Sequence, residues 1–327
     1  MNVATTPPCP SCAGAAQHVA ALPRAAILES MAKLMPYAGA ETCTFGDYAL
    51  WRCTACGLVF ADPMAEPGRD YYAWLTRSER YYPQARWEWT ACADELRGLG
   101  ASDRERRVLD VGCGSGRFLK ALRGVPGWRA IGLDINQSSV DACLAQGFEA
   151  TQGDLASART KLDGGVEVVT LWHVVEHVAD PVGLLLEARA LLAPGGMIMF
   201  SVPLSPPSYE AVWRDPLNLP PHHLTRWNLR ALERLAARVG LRSRLVIPDA
   251  DSLLTRTVHA LLVQAVSPFA PVTRVEKLRR LLAHALAHPA LVWRTLRCQL
   301  AWPRRAGRVL PDVVLACFHL DDPAARH

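Results

Sequence analysis

No run of about 18 strongly apolar residues occurs in this sequence, which excludes an ordinary membrane-spanning helix. The nearest candidate, Thr257–Thr273, is uncharged but carries His259, Gln264, Pro268 and Pro271, which suit a lipid interior poorly. The opening Met1-Asn-Val-Ala-Thr-Thr-Pro-Pro-Cys9 lacks both a basic leader and an apolar core, so no secretory signal is expected and a cytoplasmic location is. There is no internal repeat and no low-complexity tract. Charge of one sign is not in large excess: the net value of +5 over 327 residues does not by itself point to nucleic acid. Ten cysteines without a leader do not suggest a disulfide scaffold. Half of the residues are hydrophobic, enough for a sizeable core.

Five segments follow from the patterning. Residues 1–68 hold two cysteine pairs and end near Pro63 and Pro67. Residues 69–105 are aromatic-rich and helical in character. Residues 106–250 alternate short apolar runs with helical patterns: strands at Arg107–Val111, Ala130–Asp134, Val166–Leu171 and Met197–Val202, and helices at Gly116–Leu122, Ser138–Gln146, Pro181–Leu192 and Asn228–Val239. Pro194-Gly195-Gly196 is read as a break before the last of these strands. Residues 251–308 are apolar and basic, and 309–327 contain one strand, Val313–Phe318. Such alternation predicts an α/β fold with a parallel sheet covered by helices. Ligands of such sheets bind beyond the carboxyl ends of the strands.

The informative residues stand at those ends. Val108-Leu-Asp110-Val-Gly112-Cys-Gly114-Ser-Gly116 closes the first strand with an acid and three glycines at alternate positions. Glycine there permits positive φ and close approach of a ligand to the backbone. The following helix offers free N–H groups. Asp134 ends the second strand, 22 residues after Gly112, and a carboxylate there can accept from both hydroxyls of a ribose. Asp154, in Gly153-Asp154-Leu155, is placed to accept from an adenine amine.

These residues resemble the motifs of the class I S-adenosylmethionine methyltransferases, with Asp-x-Gly-x-Gly-x-Gly after the first strand, an acid after the second and often an Asp before the adenine. Leu192-Ala-Pro-Gly-Gly-Met197 is similar to the turn before that family's fifth strand. The resemblance covers roughly residues 106–250. It implies a Rossmann-like seven-stranded sheet, with Val313–Phe318 as a further strand. It also implies that Asp110, Gly112, Cys113, Gly114 and Gly116 hold the amino-acid end of S-adenosylmethionine. Asp134 would hold the ribose, with Ile135 beside it among the donor-binding residues, Asp154 and Leu155 would face the adenine, and Trp172 and His173 would lie beneath the methyl group. A nicotinamide-binding fold is the alternative, but its Gly-x-Gly-x-x-Gly places the third glycine one residue later.

A sulfonium methyl is already activated, so the protein's task is alignment, with a base for the acceptor's proton. Two places offer histidine, whose titration near neutrality suits that work: His173-Val-Val-Glu176-His177 and Pro221-His222-His223-Leu-Thr-Arg-Trp227. Related sugar C-methyltransferases carry a His-Leu pair in the second position, which implies His223, ahead of His222 and His177, as the base. Bracing of a helix start by Glu176 and His177, and ordering of a loop by His223, are the structural alternatives. Tyr71, Tyr72, Tyr81, Tyr82, Trp87 and Trp89 either shape an acceptor pocket or pack on the domain.

Cys9-Pro-Ser-Cys12 and Cys53-Thr-Ala-Cys56 make two short pairs, each able to grip a tetrahedral ion through two thiolates. The 40 residues between them exceed ordinary ribbon spacing. A structural zinc ion with no open position is expected, and a redox pair is the alternative. Trp51-Arg-Cys-x-x-Cys-Gly-Leu-Val-Phe60 is similar to the zinc ribbon that precedes some bacterial methyltransferase domains.

Between Ala250 and Val309 lie ten Lys or Arg and two acids. Thr273–Ala283 has apolar residues at helical spacing and a basic face, suited to an anionic membrane surface and a lipid-linked acceptor, or to packing on the domain as a solvated helix. The first functional reading is methylation, on oxygen or carbon, of a small-molecule, sugar or lipid-linked acceptor. The second is methylation of nucleic acid through the zinc module and the basic insert, against which the chain lacks an Asn-Pro-Pro-Tyr or Asp-Pro-Pro-Tyr motif. The third is a non-catalytic protein that binds the donor.

Overall fold

The computed structural model describes residues 6–78, 80–100, 104–162, 165–249, 251–305 and 308–320. The chain runs through β1 (Ala16–Leu22), α1 (Arg24–Leu34), β2 (Tyr48–Cys53), β3 (Val59–Asp62), α2 (Arg69–Leu75) and α3 (Trp87–Gly98). It then alternates through β4 (Arg106–Val111), α4 (Arg117–Leu122), β5 (Trp128–Asp134), α5 (Gln137–Leu144), β6 (Glu149–Gln152), α6 (Leu155–Lys161), β7 (Val166–Trp172), α7 (Pro181–Ala190) and β8 (Leu192–Pro203). The remainder comprises β9 (Thr225–Arg226), α8 (Leu229–Arg238), β10 (Arg242–Val246), α9 (Leu253–Ala265), α10 (Arg274–Ala287), α11 (Pro289–Leu300), β11 (Arg304–Arg305), β12 (Arg308–Val309) and β13 (Val313–His319).

Seven strands form one sheet in the order β10-β13-β8-β7-β4-β5-β6. The five from β8 to β6 pair in parallel, and β13 runs antiparallel to both β8 and β10. Helices cover both faces, so the central strands are apolar throughout: Val108, Leu109, Val168, Val169 and Leu171 are fully buried. Local chemistry sets the helix ends. The Asn228 side chain accepts from the Ala231 N–H at 2.9 Å and starts α8, and Gly240, at φ +69°, follows its end. From β4 the chain moves outward to β5 and β6, then returns to β7 on the other side of β4. This reversal opens a crevice at the carboxyl ends of β4 and β7.

Three features depart from the sequence reading. The strand expected to start at Met197 starts at Leu192, and Pro194-Gly195-Gly196 is absorbed as an irregularity: the pairing with β7 shifts register between Val166 and Val168. A Cβ on Gly196 would meet the Ala193 and Glu167 carbonyl oxygens at 2.8 and 3.0 Å, so only glycine fits there. Strand β10 gave no sequence signal, because Arg242, Ser243 and Arg244 are polar and exposed; it forms by pairing with β13. The first segment does not close on itself. A four-stranded sheet, β1-β2-β3-β9, takes its last strand from beyond β8. Ser11 Oγ donates to the Ala231 carbonyl at 2.8 Å, and Cys9, Cys53, Cys56 and Phe60 share a core with Leu232 and Leu235 of α8.

Helices α9 to α11 and the β11–β12 hairpin lie between β10 and β13. Among the described residues no helix is long and apolar enough to cross a membrane. Residues 321–327 of the last segment and Ala250, at the edge of the basic insert, lie outside the described residues.

Candidate active site

The crevice holds a cavity of about 310 Å³. Its floor is the turn after β4. Gly112, Gly114 and Gly116 stand at φ +73°, +53° and +76°. The Gly112 and Cys113 amides donate to the Leu133 carbonyl at 2.8 and 3.1 Å, which ties the turn to the end of β5. Two of the glycines have different reasons. A Cβ on Gly114 would meet nothing within 4 Å, leaving the backbone open to a ligand, whereas one on Gly116 would lie 3.0 Å from both Cys143 Sγ and Phe148.

Two carboxylates frame this turn. Asp134 Oδ2 accepts from the Gly114 amide at 2.9 Å and Oδ1 from the Asn136 amide at 2.8 Å. Asp110 lies opposite Thr170 in the register of β4 and β7 and accepts from its hydroxyl at 2.8 Å. Burial raises the Asp110 carboxyl to about 8, against the lowering effect of Thr170. Asp110, Gly112, Cys113, Gly114, Trp172 and His173 line the cavity together. Ile135, 67% exposed, stands on the open surface beside Asp134.

Asp154 and Leu155 are not brought to the cavity. The Asp154 carboxylate is engaged at the start of α6, accepting from the Ser157 amide at 2.9 Å, while the Ser157 hydroxyl approaches the Asp154 amide at 3.0 Å. Leu155 packs into the core.

A second group of residues surrounds His173, which holds φ +54°. Its Nδ1 lies 3.1 Å from Glu176 Oε1, and its Nε2 lies 3.1 Å from Glu88 Oε1 and 2.6 Å from Arg86 Nη1. Burial opposes protonation of His173, but the Glu176 and Glu88 carboxylates outweigh it and hold its pKa above the ordinary histidine value. Arg86 and Glu88 were not singled out in the sequence. Their neighbours Trp87 and Trp89 drew attention as aromatics, and a buried acid in a helix's first turn has no local signature.

The wall opposite the glycine turn is aromatic and imidazole-rich. The Leu224 and Thr225 amides donate to the Glu176 carbonyl at 2.9 and 3.2 Å, which brings the 222–225 run against the end of β7. His177 thereby meets the distant pair His222 and His223, with ring centres 4.5 to 4.8 Å apart. Burial, then the neighbouring imidazoles, press the pKa of His222 and of His223 well below the ordinary histidine value. Tyr71, Tyr72 and Tyr81 pack around His222 at ring distances of 5.8 to 6.3 Å. Arg117 Nη1 donates to the Tyr82 and Pro83 carbonyls at 2.6 and 2.9 Å and holds this loop over the glycine turn.

On the other side of the molecule the four expected cysteines meet. Cys9 and Cys56 Sγ are 3.6 Å apart and Cys12 and Cys53 Sγ 3.5 Å apart, with all four within 4.8 Å of one another. Tetrahedral zinc–sulfur bonds of about 2.3 Å imply sulfur separations of just under about 4 Å, so the donor set fits zinc. Burial alone would raise the Cys53 thiol, but the Cys56 and Ala55 backbone amides outweigh it and bring it to about 7, whereas burial raises the Cys12 thiol, and the Cys9 thiol together with burial raises that of Cys56.

Residues 84–245 match the methyltransferase domain family. The ubiquinone biosynthesis O-methyltransferase of Bordetella bronchiseptica (strain ATCC BAA-588 / NCTC 13252 / RB50) is 33% identical over 102 residues, 29% of this chain and 42% of that protein. That of Thiobacillus denitrificans (strain ATCC 25259 / T1) is 32% identical over 102 residues, 29% of this chain and 44% of that protein. The chain thus spans less than half the length of the curated relatives it matches first. Among solved structures, a SAM dependent methyltransferase from Archaeoglobus fulgidus is 18% identical, with 76% of this chain and 100% of that chain covered at a TM-score of 0.47.

Proposed function

We infer that this chain, whose residues 84–245 belong to the methyltransferase domain family, transfers a methyl group from S-adenosylmethionine to an oxygen or carbon of a small-molecule, sugar or lipid-linked acceptor. One observation carries the reading. Three positive-φ glycines, an open Gly114 and the carboxylates of Asp110 and Asp134 meet at the reversal point of a parallel sheet, beside a cavity with an imidazole wall.

The donor supplies a methyl group on a positively charged sulfur that departs neutral. The chain's residues then have separate tasks. The open backbone of Gly112–Ser115 and the Asp110 carboxylate bind its amino-acid end, and Asp134 takes the ribose hydroxyls. Ile135, exposed beside Asp134, offers apolar surface to the adenine. Trp172 and His173 line the cavity beside this turn, and the bridged Glu88–His173–Glu176 group fixes His173 there. His223 is the favoured base. Its Nδ1 lies 3.1 Å from Asn218 Oδ1, an atom that only accepts, so the proton sits on Nδ1 and Nε2 is left to take the acceptor's proton. Its depressed pKa keeps it neutral, as a base must be. The test is calorimetric titration with S-adenosylhomocysteine, followed by transfer of a labelled methyl group to phenols, nucleotide sugars and lipid extracts. No binding of either nucleoside sinks the reading.

Asp110 adds a pH dependence. Its pKa is raised to about 8 in the fold against about 3.9 in an unfolded chain. The folded state therefore binds more protons between these values, and the stability linked to this group falls as pH rises from about 4 to 8. The donor's ammonium favours the ionised form, so binding expels a proton. Affinity is expected to rise with pH up to about 8, and binding heat at pH 7 to vary with the ionisation enthalpy of the buffer. Asp110→Asn keeps the Thr170 hydrogen bond, removes both dependences and raises the thermal midpoint above pH 7. A binding heat independent of buffer would refute the assignment.

For a lipid-linked acceptor, α10 supports peripheral membrane contact. None of its residues is buried, Val275, Leu278, Leu282 and Leu286 are exposed, and Arg274, Lys277, Arg279 and Arg280 flank them. Trp293 and Leu300 of α11 are exposed as well. Flotation with phosphatidylglycerol vesicles is expected to carry the protein at low salt, and Leu282→Asp with Leu286→Asp to abolish it. Equal flotation of the variant removes the membrane reading and leaves a water-soluble acceptor.

A further inference from the structure

The three imidazoles that wall the acceptor side have an unmet requirement. His177 Nδ1 lies 2.6 Å from the His222 carbonyl oxygen. A carbonyl only accepts, so that nitrogen carries the proton and His177 Nε2 keeps a lone pair. His223 has the same tautomer, through Asn218. His222 Nδ1 is buried without a hydrogen-bond partner among the described residues, and its Nε2 is 3.5 Å from the Tyr81 hydroxyl, too long for a strong bond. One nitrogen of each ring lies within 4.8 Å of one nitrogen of each of the others. Buried polar atoms are normally paired, and with the His177 and His223 protons engaged, the single N–H of His222 can serve at most one of the lone pairs that remain.

The spacing answers to a cation. Metal–nitrogen bonds of about 2.1 Å put each ring centre roughly 3 Å from an ion, and ring centres of three ligands about 4.5 to 5 Å apart. The ring centres here are separated by 4.5 Å for His177–His222 and by 4.8 Å for each pair with His223. The ring N–H of a metal-bound histidine ordinarily donates to a carbonyl or other oxygen that fixes its tautomer, the role filled by the His222 carbonyl and Asn218. Beside the cluster in sequence, Glu176 is fully buried and its Oε2 has no partner among the described residues.

We propose that His177, His222 and His223 bind a divalent first-row transition-metal ion on the acceptor side of the cavity, a second metal site distinct from the four cysteines. All three residues line the cavity, so the positions left open by three protein ligands are accessible to the acceptor. Three neutral ligands leave the ion its full charge, which selects an acceptor with an ionisable oxygen beside the reacting atom, such as a phenol or a hydroxy acid. This rests on the methyl-transfer reading, and it replaces a single histidine base with a group that stabilises the acceptor's oxyanion.

The full-length protein, stripped by chelator and titrated with Co2+, separates the two sites. One equivalent is expected to give the intense thiolate charge-transfer bands of the cysteine cluster. A second is expected to give only weaker visible bands typical of nitrogen and oxygen ligands. His177→Ala and His222→Phe should each lose the second equivalent and keep the thiolate bands, which also report that the chain has folded. Uptake of a single equivalent by the wild type overturns the proposal, as does a second equivalent that survives both substitutions. Parallel titration of the wild type with S-adenosylhomocysteine keeps the readings apart. Nucleoside binding without the second ion sinks only the metal site. The second ion without nucleoside binding sinks methyl transfer.

Discussion

Asp134→Ala is expected to weaken binding of S-adenosylhomocysteine by at least about a hundredfold. The carboxylate already accepts from the Gly114 and Asn136 amides, yet each oxygen keeps a further lone pair for a ribose hydroxyl. Hydrogen bonds to a charged group contribute about 1.5–3 kcal/mol each, so two amount to roughly 3–6 kcal/mol, or about two to four orders of magnitude in affinity. The substitution also frees the Gly114 amide and loosens the turn that cradles the donor's other end, so the two losses reinforce each other. Asp134→Asn retains an accepting oxygen and is expected to lie between the two. Calorimetric titration measures the effect, with thermal melts run alongside because Asp134 is nearly buried. Undiminished affinity in the alanine variant would show that the nucleoside lies elsewhere.

Cys53→Ser, or chelation of the wild type, should produce the largest loss of stability. Structural zinc contributes about 10–16 kcal/mol in isolated finger peptides, comparable to the roughly 5–15 kcal/mol by which a whole domain is stable. The cysteine cluster has no core of its own to fall back on. Cys9, Cys53 and Cys56 pack with α8, Ser11 bonds to Ala231, and β3 needs β9 as its neighbour. Loss of the metal therefore loosens the edge of the α/β domain as well as the N-terminal strands. The thermal midpoint is expected to fall by more than about 10 °C, in one transition rather than two, with elemental analysis showing the zinc gone. A wild type that purifies without metal and melts as the variant does would rule out a structural zinc.

Much of the candidate site's local geometry is legible in the sequence. The turn after β4 announces itself because its residues are contiguous and glycine is the residue that tolerates three positive φ angles in five positions. Asp134 is legible for a similar reason, since a strand's last residue is found from the apolar run before it. Asp154, whose carboxylate starts α6, shows that one local pattern can serve two structural ends. The same Gly-Asp-Leu pattern serves equally as a helix start, and Ser157 three residues on, which completes the capping box, was the available clue.

The order of apolar runs, glycines and acids determined the α/β class, the donor turn and the paired cysteines, because each depends on neighbours within a few residues. Only the tertiary structure brought His177 to His222 and His223, set Glu88 and Arg86 against His173, and lent β9 to the N-terminal sheet. Those contacts join residues 45, 85 and 165 positions apart. They arise from the reversal of strand order at β4 and from the Glu176 carbonyl that receives the Leu224 and Thr225 amides. A local pattern carries no record of such pairings, since what selects them is the burial and hydrogen bonding of the assembled sheet.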